Sequence, residues 1–360
     1  MTRDDLRELA GFRSATGGAF SLYLDLDPST TPTQADAETR LRSLLDRGEK
    51  EAAAESDLDR ILTWWNDEFD RDGSHGVAIF VSSADDLWRV LLLPGSVRDD
   101  VHVGRELRIA PLLDYGGDTE SSFVAVVSRE RGQVYRLRAG RLEEVVDRSE
   151  EQPGQHGQGG WAQARFQRHI DKLVADHLKE LGGEIDKRVR RVDGPQLVIV
   201  APEELRGEIE SALSQETRDA IVGWASAEAH AGPNEVLEVV QPLLDHAHVA
   251  RMQEALERFR EERGRNGRAC DGWEDTLAAA SDGRVDLLVL GERNGHSAYQ
   301  CPECGRAQAD AGSCPLDGTA LEPADASELA VHQTLTHGGA VVHVPRVDLD
   351  GAEVGALLRF

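Results

Sequence analysis

Two short stretches of this 360-residue chain carry residue types and spacings that could do chemistry. The first is His156-Gly157-Gln158-Gly159-Gly160-Trp161-Ala162-Gln163-Ala164-Arg165-Phe166-Gln167-Arg168. Glycines at 157, 159 and 160 leave the backbone free to take positive φ and to lie close against another molecule. Gln163 does not titrate near neutral pH, so it cannot serve as an ordinary general base. What remains open to it is positioning water and hydrogen bonding to a reacting oxygen. The second stretch is Cys301-Pro302-Glu303-Cys304-Gly305, half of a zinc knuckle, with two thiolates at the spacing that grips one tetrahedral metal. Its expected mate reads Cys314-Pro315-Leu316-Asp317-Gly318, so Asp317 stands where a fourth cysteine would, and a carboxylate oxygen can ligate zinc. Cys270 and His296 are alternative fourth ligands outside the knuckle spacing, and a degenerate knuckle without metal is the competing reading. If metal binds, its task is to hold a loop too small for a core of its own.

The first stretch needs a loop and a helix to present it. Ser149–Gln155 is polar and interrupted by Pro153, which predicts an exposed loop. Downstream, Phe166, Ile170, Leu173, Val174, His177, Leu178 and Leu181 recur at three- and four-residue steps, which predicts a long helix. Arg165, Arg168, His169, Lys172 and Lys179 fall largely off that apolar face. Ala162–Val192 carries eight Lys/Arg against five acids inside a chain of net charge −26. The overall charge argues against a generic nucleic-acid coat, whereas a local basic exception suits a protein that touches RNA at one place. A solvated helix face is the simpler explanation of the same charges.

The composition is that of a soluble globular protein, and the length predicts two to three domains. Met1–Ala10 is charged without an apolar core, and no run reaches the roughly 18–20 apolar residues of a membrane helix, so a cytoplasmic protein is expected, without membrane association and without disulfides. The sequence has no Gly-x-x-x-x-Gly-Lys-Ser/Thr, Gly-x-Ser-x-Gly or His-Glu-x-x-His motif, and Gly157–Gln163 lacks the strand and spacing of a dinucleotide fingerprint.

The fold class expected is α/β (α+β) in three segments. Residues 1–115 read as an α/β domain, with strands at Ala19–Asp27, Gly76–Ser82 and Leu87–Leu93 and a helical stretch over Thr39–Phe69. Residues 116–232 open with a meander at Ser122–Ser128, Gly132–Arg138 and Arg141–Val146, then the glycine stretch and its helix, a buried strand at Pro195–Ala201, a helix over Glu203–Ser214 and a return over Ala220–Ala229. Residues 233–360 read as a long helix over Val236–Arg265, a short helix over Gly272–Ser281, a strand at Val285–Gly291, the cysteine insertion at about 300–318, a helix over Ala326–Thr336 and a strand at Ala340–Pro345.

Gly159-Gly160 followed by Arg165-Phe166 and a basic helix resembles the peptidyl-transferase-centre loop of the archaeo-eukaryotic class-one release factor and Pelota superfamily, where Gly-Gly-Gln precedes Ser-Ala-x-Arg-Phe. Trp161 stands where that superfamily has its catalytic glutamine, while Gly160-Trp161-Ala162-Gln163 is similar to the Gly-x-x-Gln of the Vms/Ankzf-type branch of peptidyl-tRNA hydrolases. The element order of the second segment resembles the superfamily's RNase H-like middle domain, and that of the third its L7Ae-like domain, which carries a zinc-ribbon-like insertion in several members. No decoding loop for stop codons is identifiable in the first segment. The resemblance implies peptidyl-tRNA ester hydrolysis on stalled ribosomes, with Gln163, Gly159 and Gly160 catalytic. Trp161, Arg165, Arg168 and Lys172 would contact RNA, Trp161 either stacking on a base or packing as a hydrophobic staple. The implied partners are the large ribosomal subunit at its peptidyl-transferase centre, peptidyl-tRNA and a translational GTPase. Trp161 also keeps open a non-catalytic hibernation or rescue factor occupying the A site, and binding to some other RNA is a third expectation.

Overall fold

The computed structural model describes residues 3–15, 18–71, 73–115, 121–138, 140–149, 160–192, 194–228, 231–265, 267–291, 295–344, 349 and 352–360, with the backbone alone for 3–4, 114, 148–149 and 160–171. The fold is mixed α/β. It divides into two compact units, one built from Met1–Gly116 with Arg251–Phe360 and the other from Gly117–Ala250.

The chain begins with α1 (Arg3–Gly11), β1 (Ala19–Asp25), α2 (Gln34–Lys50), α3 (Glu55–Asp67), β2 (Gly76–Ser82), β3 (Leu87–Leu93) and β4 (Asp100–Gly104). The single helical stretch expected over Thr39–Phe69 is therefore two helices. α2 starts at a capping box in which Thr33 and Asp36 satisfy each other's backbone N–H. The break between the helices falls where Ala52 adopts φ +67°, a conformation that no glycine or proline there signals. The strands order as β3-β2-β1-β4, all antiparallel, and β1 and β2 are buried along their whole length. Phe20, Leu22 and Leu24 pack towards Leu41, Leu44 and Ile61 of α2 and α3. Tyr23 and Phe80 point into a second core, and that core is continuous with Leu277, Leu288, Leu329 and Leu335 from the end of the chain. This shared core is what makes the two ends of the sequence one unit.

The Gly117–Ala250 unit holds β5 (Ser122–Val127), β6 (Arg131–Arg138), β7 (Arg141–Ser149), α4 (Gly160–Val189), β8 (Gln196–Val200), α5 (Arg206–Ala212), α6 (Gln215–Asp219), β9 (Ile221–Ala225) and the first part of α7 (Pro233–Gly264). Its sheet orders β7-β6-β5-β8-β9, with β5, β8 and β9 parallel and the β5–β6–β7 meander antiparallel. β8 is apolar on both faces. Leu197 and Ile199 meet Leu178, Leu181 and Ile185 of α4, while Val198 and Val200 meet Val236, Val240 and Leu244 of α7.

From its middle α7 belongs to the first unit, where Leu256 and Phe259 pack on Val289 and Leu357. There follow β10 (Ala269–Asp271), α8 (Trp273–Ser281), β11 (Val285–Leu290), β12 (Ser297–Gln300), β13 (Ala307–Gln308), β14 (Glu322–Asp325), α9 (Ala326–Thr336), β15 (Ala340–His343) and β16 (Val354–Leu358). One sheet orders β10-β16-β11-β15 and a small one β13-β12-β14. No helix among the described residues is long and apolar enough to cross a membrane.

Candidate functional sites

α4 is the element that carries the glycine–glutamine stretch. Val174, Leu178, Leu181, Ile185 and Val189 recur at three- and four-residue steps and are all buried. The helix lies tightly on its neighbour, for a Cβ on Gly182 would sit 2.5 Å from the carbonyl oxygen of Ala212 in α5, an approach only glycine permits. Near its C-terminal end, Glu184 pairs with Lys187 (2.8 Å) and Arg188 (2.6 Å). Those two cations hold the Glu184 carboxyl down at about 2.

The helix begins at Gly160, so Trp161 and Gln163 lie in its first turn of backbone. Gly159 lies outside the described residues, as do the side chains of Trp161, Gln163, Arg165 and Arg168. Lys172 and Lys179 are exposed, seven residues apart and off the apolar face, and no ion pair is recorded for either among the described residues. His177, expected on the apolar face, is there and is 5% exposed.

The cysteine stretch is described in full. Its two halves fold as the same turn. Gly305 N–H donates to the Cys301 carbonyl and Gly318 N–H to the Cys314 carbonyl, both at 2.9 Å. The glycines take φ +78° and +77°, a left-handed conformation that disfavours other residues. Cys301 N–H and Cys314 N–H each close the turn on a second carbonyl, of Arg306 and Thr319. This repetition puts Asp317 in the place Cys304 holds in the first turn. One donor atom from each of Cys301, Cys304, Cys314 and Asp317 lies within 4.8 Å of every other. Cys304 Sγ and Cys314 Sγ are 3.5 Å apart, and Cys301 Sγ is 3.4 Å from Asp317 Oδ2. A tetrahedral zinc with bonds of about 2.3 Å to sulfur and 2.0 Å to oxygen requires edges of about 3.5–3.8 Å, and the Cys304–Cys314 and Cys301–Asp317 separations lie close to that length. Of the alternatives, Cys270 packs beside Thr276 and His296 stacks on Trp273; neither joins the cluster.

Protons are unevenly held in the cluster. Burial raises the Cys301 thiol, but backbone N–H groups of Cys304 and Glu303 outweigh it and bring the group below the usual thiol range. The backbone N–H of Arg306 lowers Cys304, yet burial and the neighbouring thiols push it up to about 11. The N–H and hydroxyl of Thr319 hold Asp317 at about 2. A cation entering the site meets the Asp317 carboxylate, and metal ligation by thiols releases their protons. Four protein donors leave no open position, so such an ion would be structural.

Residues 108–243 match the family described as bacterial archaeo-eukaryotic release factor family 10. Peptide chain release factor subunit 1 of Archaeoglobus fulgidus is 24% identical over 213 residues, which is 57% of this chain and 52% of that protein. The chain spans about half the length of the curated relatives it matches. Among solved structures, Saccharomyces cerevisiae Dom34, described as a translation termination-like factor, is 12% identical with 79% of each chain covered and a TM-score of 0.42. Archaeoglobus fulgidus Pelota is 13% identical, covering 100% of this chain and 92% of its own, with a TM-score of 0.34. The family and sequence matches are both to release factors, and the family match falls on residues 108–243.

Proposed function

We propose that this chain is a ribosome-directed peptidyl-tRNA hydrolase of release-factor type, related to the Vms/Ankzf-type branch, acting in the cytoplasm on stalled ribosomes. The observation that carries the reading is the Gly160-x-x-Gln163 sequence at the head of a 30-residue helix, inside the stretch that matches the release-factor family. In this reading the middle domain, residues 116–232, enters the peptidyl-transferase centre of the large subunit, with residues 1–115 and 233–360 as its flanking domains.

Gly159 and Gly160 let the backbone approach the terminal nucleotides of tRNA with no Cβ between them. The Gln163 amide orients a water at the ester carbon and hydrogen-bonds the oxyanion as it forms. Because glutamine takes no proton, the ester oxygen of the leaving tRNA must be protonated by water or by RNA. Arg165, Arg168 and Lys172 neutralise phosphates of rRNA or the acceptor stem, with Trp161 stacking on a base. A translational GTPase is the partner expected to deliver a factor of this type. Zinc at Cys301, Cys304, Cys314 and Asp317 would supply a cross-link and no Lewis-acid chemistry. Release of labelled peptide from stalled ribosomal complexes, lost on Gln163→Ala while ribosome binding persists, is the experiment that tests the reading.

One observation favours a second reading. Trp161 occupies the position of the superfamily's catalytic glutamine, which suits a non-catalytic hibernation or rescue factor seated in the A site. Such a factor would bind idle ribosomes as well as stalled ones and release nothing.

A further inference from the structure

The first knuckle holds more than its own loop. The carbonyl of Pro302, between the two cysteines, accepts from Arg13 Nη2 at 2.7 Å and from Arg105 Nη1 at 3.3 Å. Those residues lie 289 and 197 positions away in sequence. The carbonyl of Gly305 accepts from Gln333 Nε2 of α9 at 2.8 Å and from Gln300 Nε2 at 3.3 Å, and Gln300 also donates to Glu106 at 2.8 Å. A Cβ on Gly305 would sit 3.1 Å from Arg13 Nη1, so the left-handed glycine of the knuckle also makes room for this arginine. Arg13 and Glu106 are themselves joined by a β-bridge, and Ser14 N–H donates to Arg105 O at 2.7 Å. The two N-terminal strips that grip the knuckle are thus one ladder.

α9 extends the same seam. His332 places Nδ1 2.9 Å from the carbonyl oxygen of Ala10 and Nε2 2.6 Å from that of Leu107. One turn earlier, Glu328 accepts from the N–H groups of Ile109 (3.0 Å) and Ala110 (3.1 Å). Residues 10–14 and 105–110 are therefore held by the knuckle at one end of the seam and by α9 along the rest.

A turn of five residues with no core has its carbonyl directions fixed only as firmly as its two ends. In the first knuckle, Cys301–Gly305, one end is the metal donor Cys301 and the donor Cys304 directly precedes the other. We propose that the metal centre is the clasp between the N-terminal and C-terminal segments of this unit: the ion at Cys301, Cys304, Cys314 and Asp317 fixes the Pro302 and Gly305 carbonyls, and through Arg13, Arg105 and Gln333 it stabilises the seam against residues 10–14 and 105–110. The inference rests on metal occupying the cluster. By linkage, whatever the ion adds to the seam, the seam adds to the ion's affinity.

The test uses the full chain, purified without a tag in zinc-replete medium. Metal content is measured first, then amide hydrogen exchange before and after zinc removal with a high-affinity chelator. The expected result is one zinc per chain, with exchange on removal rising on the order of tenfold at 10–14, 105–110 and 328–336 together with 301–318, as loss of charged hydrogen bonds predicts. Residues 122–127 and 196–200, in the other unit, should be unchanged. Arg13→Ala and, separately, Gln333→Ala should retain one zinc but lose it to chelator several-fold faster. One zinc whose removal deprotects 301–318 alone, with both variants releasing it at the wild-type rate, would overturn the clasp and leave the metal site standing. No bound zinc would overturn the metal site and the clasp with it.

Discussion

Asp317 occupies in the second knuckle the place that Cys304 occupies in the first, three residues after a buried cysteine and one before a glycine in the left-handed conformation. The match of backbone at the two turns places this carboxylate where the first turn has a thiol. Asp317→Cys should therefore keep one metal per chain and bind it more tightly, since a thiolate is the better zinc donor. With cobalt as the probe, it should strengthen the sulfur-to-metal charge-transfer band. Asp317→Ala should weaken zinc by more than about 100-fold, because loss of even a supporting partner costs 10–100-fold. Competition with a chromophoric chelator measures both, and an unaltered affinity in Asp317→Ala would remove the residue from the ligand set.

Gly182 and Gly183 are neighbours in α4 with opposite surroundings. A methyl at Gly182 collides with the Ala212 carbonyl, whereas nothing lies within 4 Å of one at Gly183. Gly182→Ala should cost about 1–3 kcal/mol as overpacking. Gly183→Ala should stabilise by about 0.5–1 kcal/mol through helix propensity. Urea midpoints of the two variants should move in opposite directions.

Burial lowers the pKa of His102 below its ordinary 6.5, with Arg108 adding to the effect and Asp100 opposing it. A histidine depressed in the folded state contributes stability that is present above pH 6.5 and lost as pH falls through its folded value. The protein should lose stability progressively below pH 6.5, and His102→Gln should flatten that part of the profile. Chemical denaturation at a series of pH values reads the slope, and an identical slope in the variant would mean that other groups set it.

Much of this fold was legible from pattern. Val285–Leu290 and Gln196–Val200 announce themselves as aliphatic runs, and α9 begins where Asp325 caps Ser327 and Glu328. The strands Ala269–Asp271, Ser297–Gln300, Ala307–Gln308 and Glu322–Asp325 were not, because two to four residues show no period and the last contains proline. They exist because other strands pair with them, for Ala269–Asp271 one that lies more than eighty residues away. Nor could the sequence reveal that Arg13 meets Pro302, since a guanidinium seeking a backbone carbonyl leaves no trace in residue type. The spacing of the cysteines already pointed to Cys301, Cys304, Cys314 and Asp317 as candidate ligands, with Cys270 and His296 outside the pattern, and the twin turns bring those four donors together.

Lys172 and Lys179 present two cations on the open side of α4. If that side meets ribosomal RNA, replacing both by glutamate should weaken ribosome binding by about tenfold or more and reduce the dependence of log affinity on log salt by about two phosphate contacts. Co-sedimentation across a salt series checks this. Equal binding at every salt concentration would place the RNA surface elsewhere.

The proposed hydrolysis turns on Gln163. The most direct measurement incubates stalled large-subunit complexes carrying labelled peptidyl-tRNA with wild-type protein and with Gln163→Ala, following free peptide and co-sedimentation together. The hydrolase reading predicts release by wild type, release reduced to background by the variant, and equal binding by both. Equal release by the two proteins would contradict the role of Gln163. Binding by both with release by neither would contradict hydrolysis itself and leave the non-catalytic factor.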